Sequence, residues 1–200
     1  MSGDEMATSA TQLALYRLKT VLQSLVEIYR LPQQQIDMFL RSYALFDKDN
    51  VENDEQRIID YYSVLNHLCA LGEVEKMYIP AVMDVSKGIY ENQMLFERKM
   101  SRDLNIQAGD HVLDIGCGRG RVAAHMASIT HANLVGLNID DTQLNSAKKF
   151  AHLSGLADRC QFLKGSLNER FPFTDASFNA LYQIQVLTYA KNKEAVFTEM

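Results

Sequence analysis

Apolar residues recur at helical spacing near the start of the chain. Leu13, Tyr16, Leu18, Val21, Leu22, Leu25, Val26 and Ile28 are separated by Arg17, Lys19, Gln23 and Glu27. This predicts an amphipathic helix that packs on its own chain; a membrane-surface or partner-binding face is the alternative reading of the same stripe. Pro32 should end it, because the residue before a proline is pushed out of the helical region. A second short helix is expected over about Gln34 to Leu45. The acidic run at 47–56 reads as a solvated loop, and Asn53 followed by Gln56 resembles a capping box. Ile58, Ile59, Tyr62, Leu65, Leu68 and Cys69 then mark a helical face that Gly72 should close, and a further helix is expected over about Ile89 to Leu104.

From Gly109 the pattern changes to short apolar runs alternating with helical stretches. Strands are expected at 111–116, 132–139, 161–167 and 177–186. Between them lie a helix over 120–129 and another opened by Asp140 and Gln143 and stopped at Gly155. A last helix should begin at Asn192. Alternation of this kind implies right-handed crossovers and a parallel sheet, an α/β fold. The expected organisation is a helical extension over 1–104 and an α/β domain over 105–200.

Composition narrows the function. The chain has 200 residues and a formal net charge of −5, with basic residues scattered singly, which argues against a partner tracked by its phosphates. Cys69, Cys117 and Cys160 offer neither a disulfide framework nor a zinc spacing, so no metal is expected and a reducing compartment, the cytoplasm, is. The opening residues have no apolar core of a signal peptide, and no stretch approaches the roughly 20 apolar residues of a membrane span.

The chemistry concentrates in Val112-Leu113-Asp114-Ile115-Gly116-Cys117-Gly118-Arg119-Gly120. A strand running into glycines and then a helix lets a ligand approach the main chain, beside free N–H groups and a positive dipole end. In open α/β sheets that crevice is where ligands bind. The G-x-G-x-G spacing differs from the G-x-G-x-x-G that suits a pyrophosphate. Asp114 would oppose a pyrophosphate but would hold an ammonium; alternatively, it ties down the turn.

VLDIGCGRG resembles the first motif of class I S-adenosylmethionine-dependent methyltransferases. Within them the chain is similar to the sterol C-24 methyltransferases and related small-molecule enzymes, through VGLNIDDTQL (135–144), GLADRCQFLKG (155–165) and FPFTDASFNALYQIQ (171–185). The resemblance implies a Rossmann-like methyltransferase fold with S-adenosyl-L-methionine as cofactor. Asp114, Gly116, Gly118 and Gly120 would line its methionine part. Asn138, which the sterol enzymes also carry, would meet the ribose, and Gln143 would either lie beside the ribose or cap its helix. Ser166 replaces the usual aspartate at the adenine position and is followed by Leu167; Cys117, Ile139 and Gln183 complete the implied site. Gln185 and Tyr189 stand where the sterol enzymes have Glu and His, which separates this chain from sterol methylation itself.

The implied acceptor is a small, hydrophobic or natural-product molecule. Tyr61, Tyr62, His67, Tyr78 and Tyr189 are candidates for the acceptor side, none in a diagnostic constellation, so no catalytic base is assigned. Such a domain should continue with three more strands beyond Met200, so the fold is expected to be C-terminally incomplete and the chain a truncated form. The fourth strand would then present an open edge for a homo- or hetero-oligomer. The competing reading is a non-catalytic subunit that binds a partner chain through that edge or through the N-terminal helices.

Overall fold

The computed structural model describes residues 3–43, 55–72 and 74–200. They fall into two compact units, Met1–Met77 and Tyr78–Met200, so the expected boundary at 104 lies inside the second.

The first unit holds α1 (Gly3–Tyr29), α2 (Gln33–Ser42) and α3 (Glu55–Leu71), with α3 packed on both of the others. The long apolar stripe of α1 divides. Leu13, Tyr16, Val21 and Ile28 are half-buried, whereas Leu18, Leu22, Leu25 and Val26 are exposed. Eight apolar positions cover a wider arc than one neighbouring helix can reach. The buried face centres instead on Ser24, whose hydroxyl lies 3.4 Å from His67 Nδ1 on α3. Pro32 is the extended N-cap of α2. Phe39 and Tyr43 of α2 form an aromatic cluster with Tyr61 and Tyr62 of α3. The expected continuation of α2 to Leu45, the loop over 47–54 and the Asn53 cap lie outside the described residues. Gln56 falls within α3 and donates to Asp60 one turn on, at 3.0 Å.

The second unit alternates as expected: α4 (Ile89–Asp103), β1 (His111–Ile115), α5 (Arg121–Thr130), β2 (Asn133–Asn138), α6 (Asp141–Leu153), β3 (Cys160–Lys164), β4 (Ala180–Gln183) and α7 (Lys193–Glu199). The four strands are parallel in the order β3-β2-β1-β4, so the direction of winding reverses between β1 and β4. The sheet is covered on both sides at β1, whereas on β3 Gln161 and Leu163 are exposed. Val112, Leu134, Cys160 and Phe162 pack beneath α5 and α6 with Ala123, Met126 and Ala147. Leu113, Ile115 and Leu137 pack on the other side with Phe171. Among the described residues no strand pairs with the outer edge of β4.

Two expected strands are too long. β3 stops at Lys164 because the chain then turns, with Gly165 N bonding to Asn138 O and Asn168 N to Ser166 Oγ. β4 keeps only Ala180–Gln183. Before it Ser177 bonds back to Thr174 O, and after it Gln185 adopts φ +58°.

Ahead of α4 the chain is held by one side chain. Asn92, 5% exposed, accepts from the main-chain N–H groups of Met83 and Asp84 at 2.7 and 2.9 Å. Its amide donates toward Asp84, Lys87 and Gly88 carbonyls at 2.9–3.0 Å. Asn92→Ala orphans several of these groups at once. It should cost about 2–3 kcal/mol in a urea melt, because leaving buried polar groups unpaired costs more than a single bond is worth. A loss below about 0.5 kcal/mol would show that water replaces the amide freely.

Candidate functional site

The expected site residues converge on one edge of the sheet, the carboxyl ends of the parallel strands, beside the winding reversal. Leu137 O at the end of β2 receives both Gly116 N (2.8 Å) and Cys117 N (3.1 Å), which bends the chain off β1. Gly116, Gly118 and Gly120 then all take left-handed backbone, at φ +73°, +52° and +69°. A side chain at Gly116 would strike Val186, and one at Gly120 would strike Ala147 and Phe162. Gly118 differs, since a Cβ there would find only Gln143 Oε1, at 3.8 Å. The middle of the bend therefore faces open space, and Gly120 N-caps α5 just beyond it.

Across this space Asn138 Nδ2 donates to Gln143 Oε1 at 2.8 Å, joining the end of β2 to the first turn of α6. The α6 N-terminus is capped by Asp140, which accepts from Thr142 N and Gln143 N. Ile139, between Asn138 and Asp140, is half-buried. Ser166 and Leu167 follow the end of β3. The Ser166 hydroxyl accepts from Asn168 N at 2.9 Å, and the Leu167 side chain packs with Leu113 and Phe171. Gln183 ends β4 opposite Ile115, and its side-chain Oε1 accepts from Val186 N at 3.2 Å. Cys117 aims its thiol into the core against Gly136, where burial pushes its pKa well up. Any part it takes in a ligand seat is through its main chain.

Asp114 lies in the middle of β1, 3% exposed, on the same face as Tyr182 and Gly136. Its Oδ2 and the Tyr182 hydroxyl are buried without hydrogen-bond partners. Burial pushes the Asp114 carboxyl up to about 7, a rise the Tyr182 hydroxyl opposes and the Glu97 carboxylate reinforces. The hydroxyl is thus close enough to act on the carboxyl without closing a bond to Oδ2.

Glu97 was not singled out from the sequence. It is fully buried in α4, accepting from the Tyr78 hydroxyl and facing His125 Nδ1 of α5, both at 2.5 Å. Tyr78, an expected acceptor-side residue, is therefore committed to Glu97. Tyr189 is buried, in a short 3-10 turn after β4. Tyr61, Tyr62 and His67 belong to the first unit. Gln185 binds Ile79 in both directions, donating to its carbonyl at 3.0 Å and accepting from its N–H at 3.4 Å. Among the described residues no acidic, histidine or cysteine group is placed to hold a metal, and no helix is long and apolar enough to cross a membrane.

The residues present fit S-adenosylmethionine. A left-handed glycine bend open at Gly118 admits a ligand to the main chain, an unpartnered buried carboxyl oxygen suits its cationic amino-acid end, and the Asn138–Gln143 pair offers amides to hydroxyl groups.

Residues 112–200 match the family described as a methyltransferase domain. The sterol 24-C-methyltransferase of Pneumocystis carinii is 36% identical over 104 residues, covering 52% of this chain and 27% of that enzyme. That of Saccharomyces cerevisiae is 28% identical over 193 residues, covering 91% and 49%. The chain thus spans at most about half the length of these relatives. Among solved structures the [4+2]-cyclase SpnF shares the fold, with a TM-score of 0.66 at 18% identity over 72% of this chain and 54% of that one. Residues 112–200 thus match a methyltransferase domain, carry the parallel sheet and flanking helices of a Rossmann-like fold, and resemble the sterol 24-C-methyltransferases.

Proposed function

We propose that this chain binds S-adenosylmethionine at the ends of β1, β2 and β3 and takes part in methylating a small, hydrophobic acceptor. The observation that carries this reading is the bend at Gly116–Gly120, open at Gly118 and backed by Asp114. In this reading Asp114, Gly116, Gly118 and Gly120, with the main chain of Cys117, hold the methionine end. Asn138 and Gln143 receive the ribose hydroxyls; Ile139, Ser166 and Leu167 border the adenine, and Gln183 closes the β4 side. The hydroxyl of Ser166 brings no charge, so adenine selection falls to hydrogen bonding and packing.

When bound, the cofactor supplies an already activated methyl group. The protein's work is then to align the acceptor and keep water out rather than to provide a nucleophile. A hydrophobic acceptor is supported by the segment tied to Gln185, where Ile79, Val82, Val85 and Ile89 are all exposed apolar residues. Three free cysteines support residence in a reducing compartment such as the cytosol.

Calorimetric titration with S-adenosylhomocysteine is expected to show micromolar binding that Gly116→Val abolishes. The valine combines a left-handed backbone position with a collision at Val186. Well-folded protein that takes up no ligand would remove the cofactor from the proposal. A second reading rests on the unpaired edge of β4, which would seat a partner chain or a second copy. SpnF, a cyclase, shows that this fold serves chemistry other than methylation, so the fold alone does not decide between the readings. Light scattering that finds a monomer competent in methyl transfer would eliminate the partner requirement.

A further inference from the structure

The long first helix turns its most apolar side to solvent. The side packed on α3 holds Leu13, Thr20, Val21, Ser24 and Ile28, with Ser24 meeting His67. The opposite side holds Leu15, Leu18, Leu22, Leu25, Val26 and Tyr29, each between 45% and 91% exposed. At 3.6 residues per turn these six fall within an arc of about 100°. Between Leu15 and Tyr29 no polar residue interrupts that arc. A surface helix ordinarily shows water its charged side, and exposed apolar residues are ordinarily scattered singly.

The spacing indicates what fits there. Leu15, Leu18, Leu22, Leu25 and Tyr29 follow one another at steps of three, four, three and four, the a and d positions of two consecutive heptads. That period keeps a stripe turned toward a second helix along its length, each side chain entering a hole formed by four of the partner's. Of the positions flanking the seam, Ala14, Lys19, Val21, Val26 and Ile28, only Lys19 is charged, so two copies can approach without pairing like charges. The six side chains present about 700 Å² of mostly apolar surface, close to the roughly 800 Å² per partner of a standard interface. The net charge of −5 sets the chain against an anionic lipid surface. The first unit is also short of a core of its own: among its described residues only Ile58, Val64 and Ala70 are buried apolar side chains.

We propose that α1 is a self-association surface, on which the stripe from Leu15 to Tyr29 pairs with the same stripe of a second copy of this chain. The contact is isologous: one patch serves both copies, so pairing closes at two. It covers the leucines that α3 leaves open and completes the packing of the first unit. It is independent of the cofactor site.

The test is sedimentation equilibrium of the full chain from about 1 to 100 μM, where a dimer with a micromolar dissociation constant is expected. Leu18→Glu combined with Leu25→Glu places carboxylates in the seam and should raise that constant at least about a hundredfold. Gln23→Glu adds the same charge beside the stripe and should leave it within about threefold. Leu22→Ala removes area without adding charge and should weaken pairing about tenfold. It decides the matter if circular dichroism shows that the carboxylates unfold α1. A wild-type chain that remains monomeric at the highest concentration would overturn the proposal. A dimer that the seam variants leave unchanged would also overturn it, and would move the association to another surface such as the β4 edge. A monomer that co-sediments with phosphatidylserine vesicles would overturn it in favour of a lipid surface.

Discussion

Alanine in place of Gly120 is expected to cost the second unit about 2–5 kcal/mol, the sum of left-handed backbone strain and overpacking. The backbone there sits at φ +69°, and the new methyl would lie 2.6 Å from the Ala147 Cβ and 2.8 Å from the Phe162 ring. Neither neighbour has room to yield. Ala147 has no exposure and belongs to α6, and Phe162 is locked between strand and helices in the same core. The strain falls on the N-cap of α5, so the helix must tip or unwind, and the bend that faces the open space moves with it. Urea denaturation read by circular dichroism would report the loss, and calorimetry the accompanying fall in ligand affinity. A change below about 1 kcal/mol would mean that α5 and α6 are packed far more loosely than described.

Asp114→Asn should act in opposite directions on stability and on binding. The folded-state pKa of this carboxyl is raised to about 7 from 3.8, so the folded protein holds the proton more tightly than the unfolded chain does. Its contribution to stability is complete below about pH 4 and is lost as pH rises through about 7. A shift of that size corresponds to at most about 4 kcal/mol. Because a buried site relaxes, a gain of about 2 kcal/mol for the neutral amide at pH 8 is expected, shrinking toward nothing at pH 4. Affinity for S-adenosylhomocysteine should fall at least about tenfold in the same variant, since the amide brings no charge to meet an ammonium. Melts at the two pH values check the first half and calorimetry the second. Equal destabilisation at both pH values would show that the carboxyl serves the turn rather than the ligand.

The α/β half of the chain was legible because its strands are short apolar runs closed by glycines, which only a buried parallel sheet explains. The bend at 116–120 was legible for the same reason: three glycines that close together at the end of a strand have few other uses. Strand lengths were less so. The stretch 184–186 has strand-like residues and 165–167 merely continues an apolar run, yet side-chain bonds from Ser166 and Gln183 turn the chain at both places, and such local competition leaves no periodicity.

The helices misled in two ways. On α1 the expected packed face comprises eight apolar residues, and the structure half-buries only four of them. On α4 the buried positions are Asn92, Gln93, Glu97 and Ser101, all polar. A search for apolar stripes overlooks such a face. The available signal was the i, i+4, i+8 spacing of Gln93, Glu97 and Ser101, a polar row beside Met94 and Met100. His125 offered less, being one polar residue in an alanine-rich helix. Which carboxylate it would meet depends on how α4 lies on α5, and no local rule encodes that.

The amide of Gln185 imitates a strand partner, accepting from Ile79 N and donating to Ile79 O as a main-chain peptide would. The apolar segment beginning at Ile79 is thereby buttoned to the bend that follows β4, although the two lie 106 residues apart in sequence. Only a side chain that both gives and accepts can fasten it on both sides; an ionised carboxylate would leave the Ile79 carbonyl unmatched. This single residue therefore ties the segment at Ile79 to the chain leaving the carboxyl end of β4.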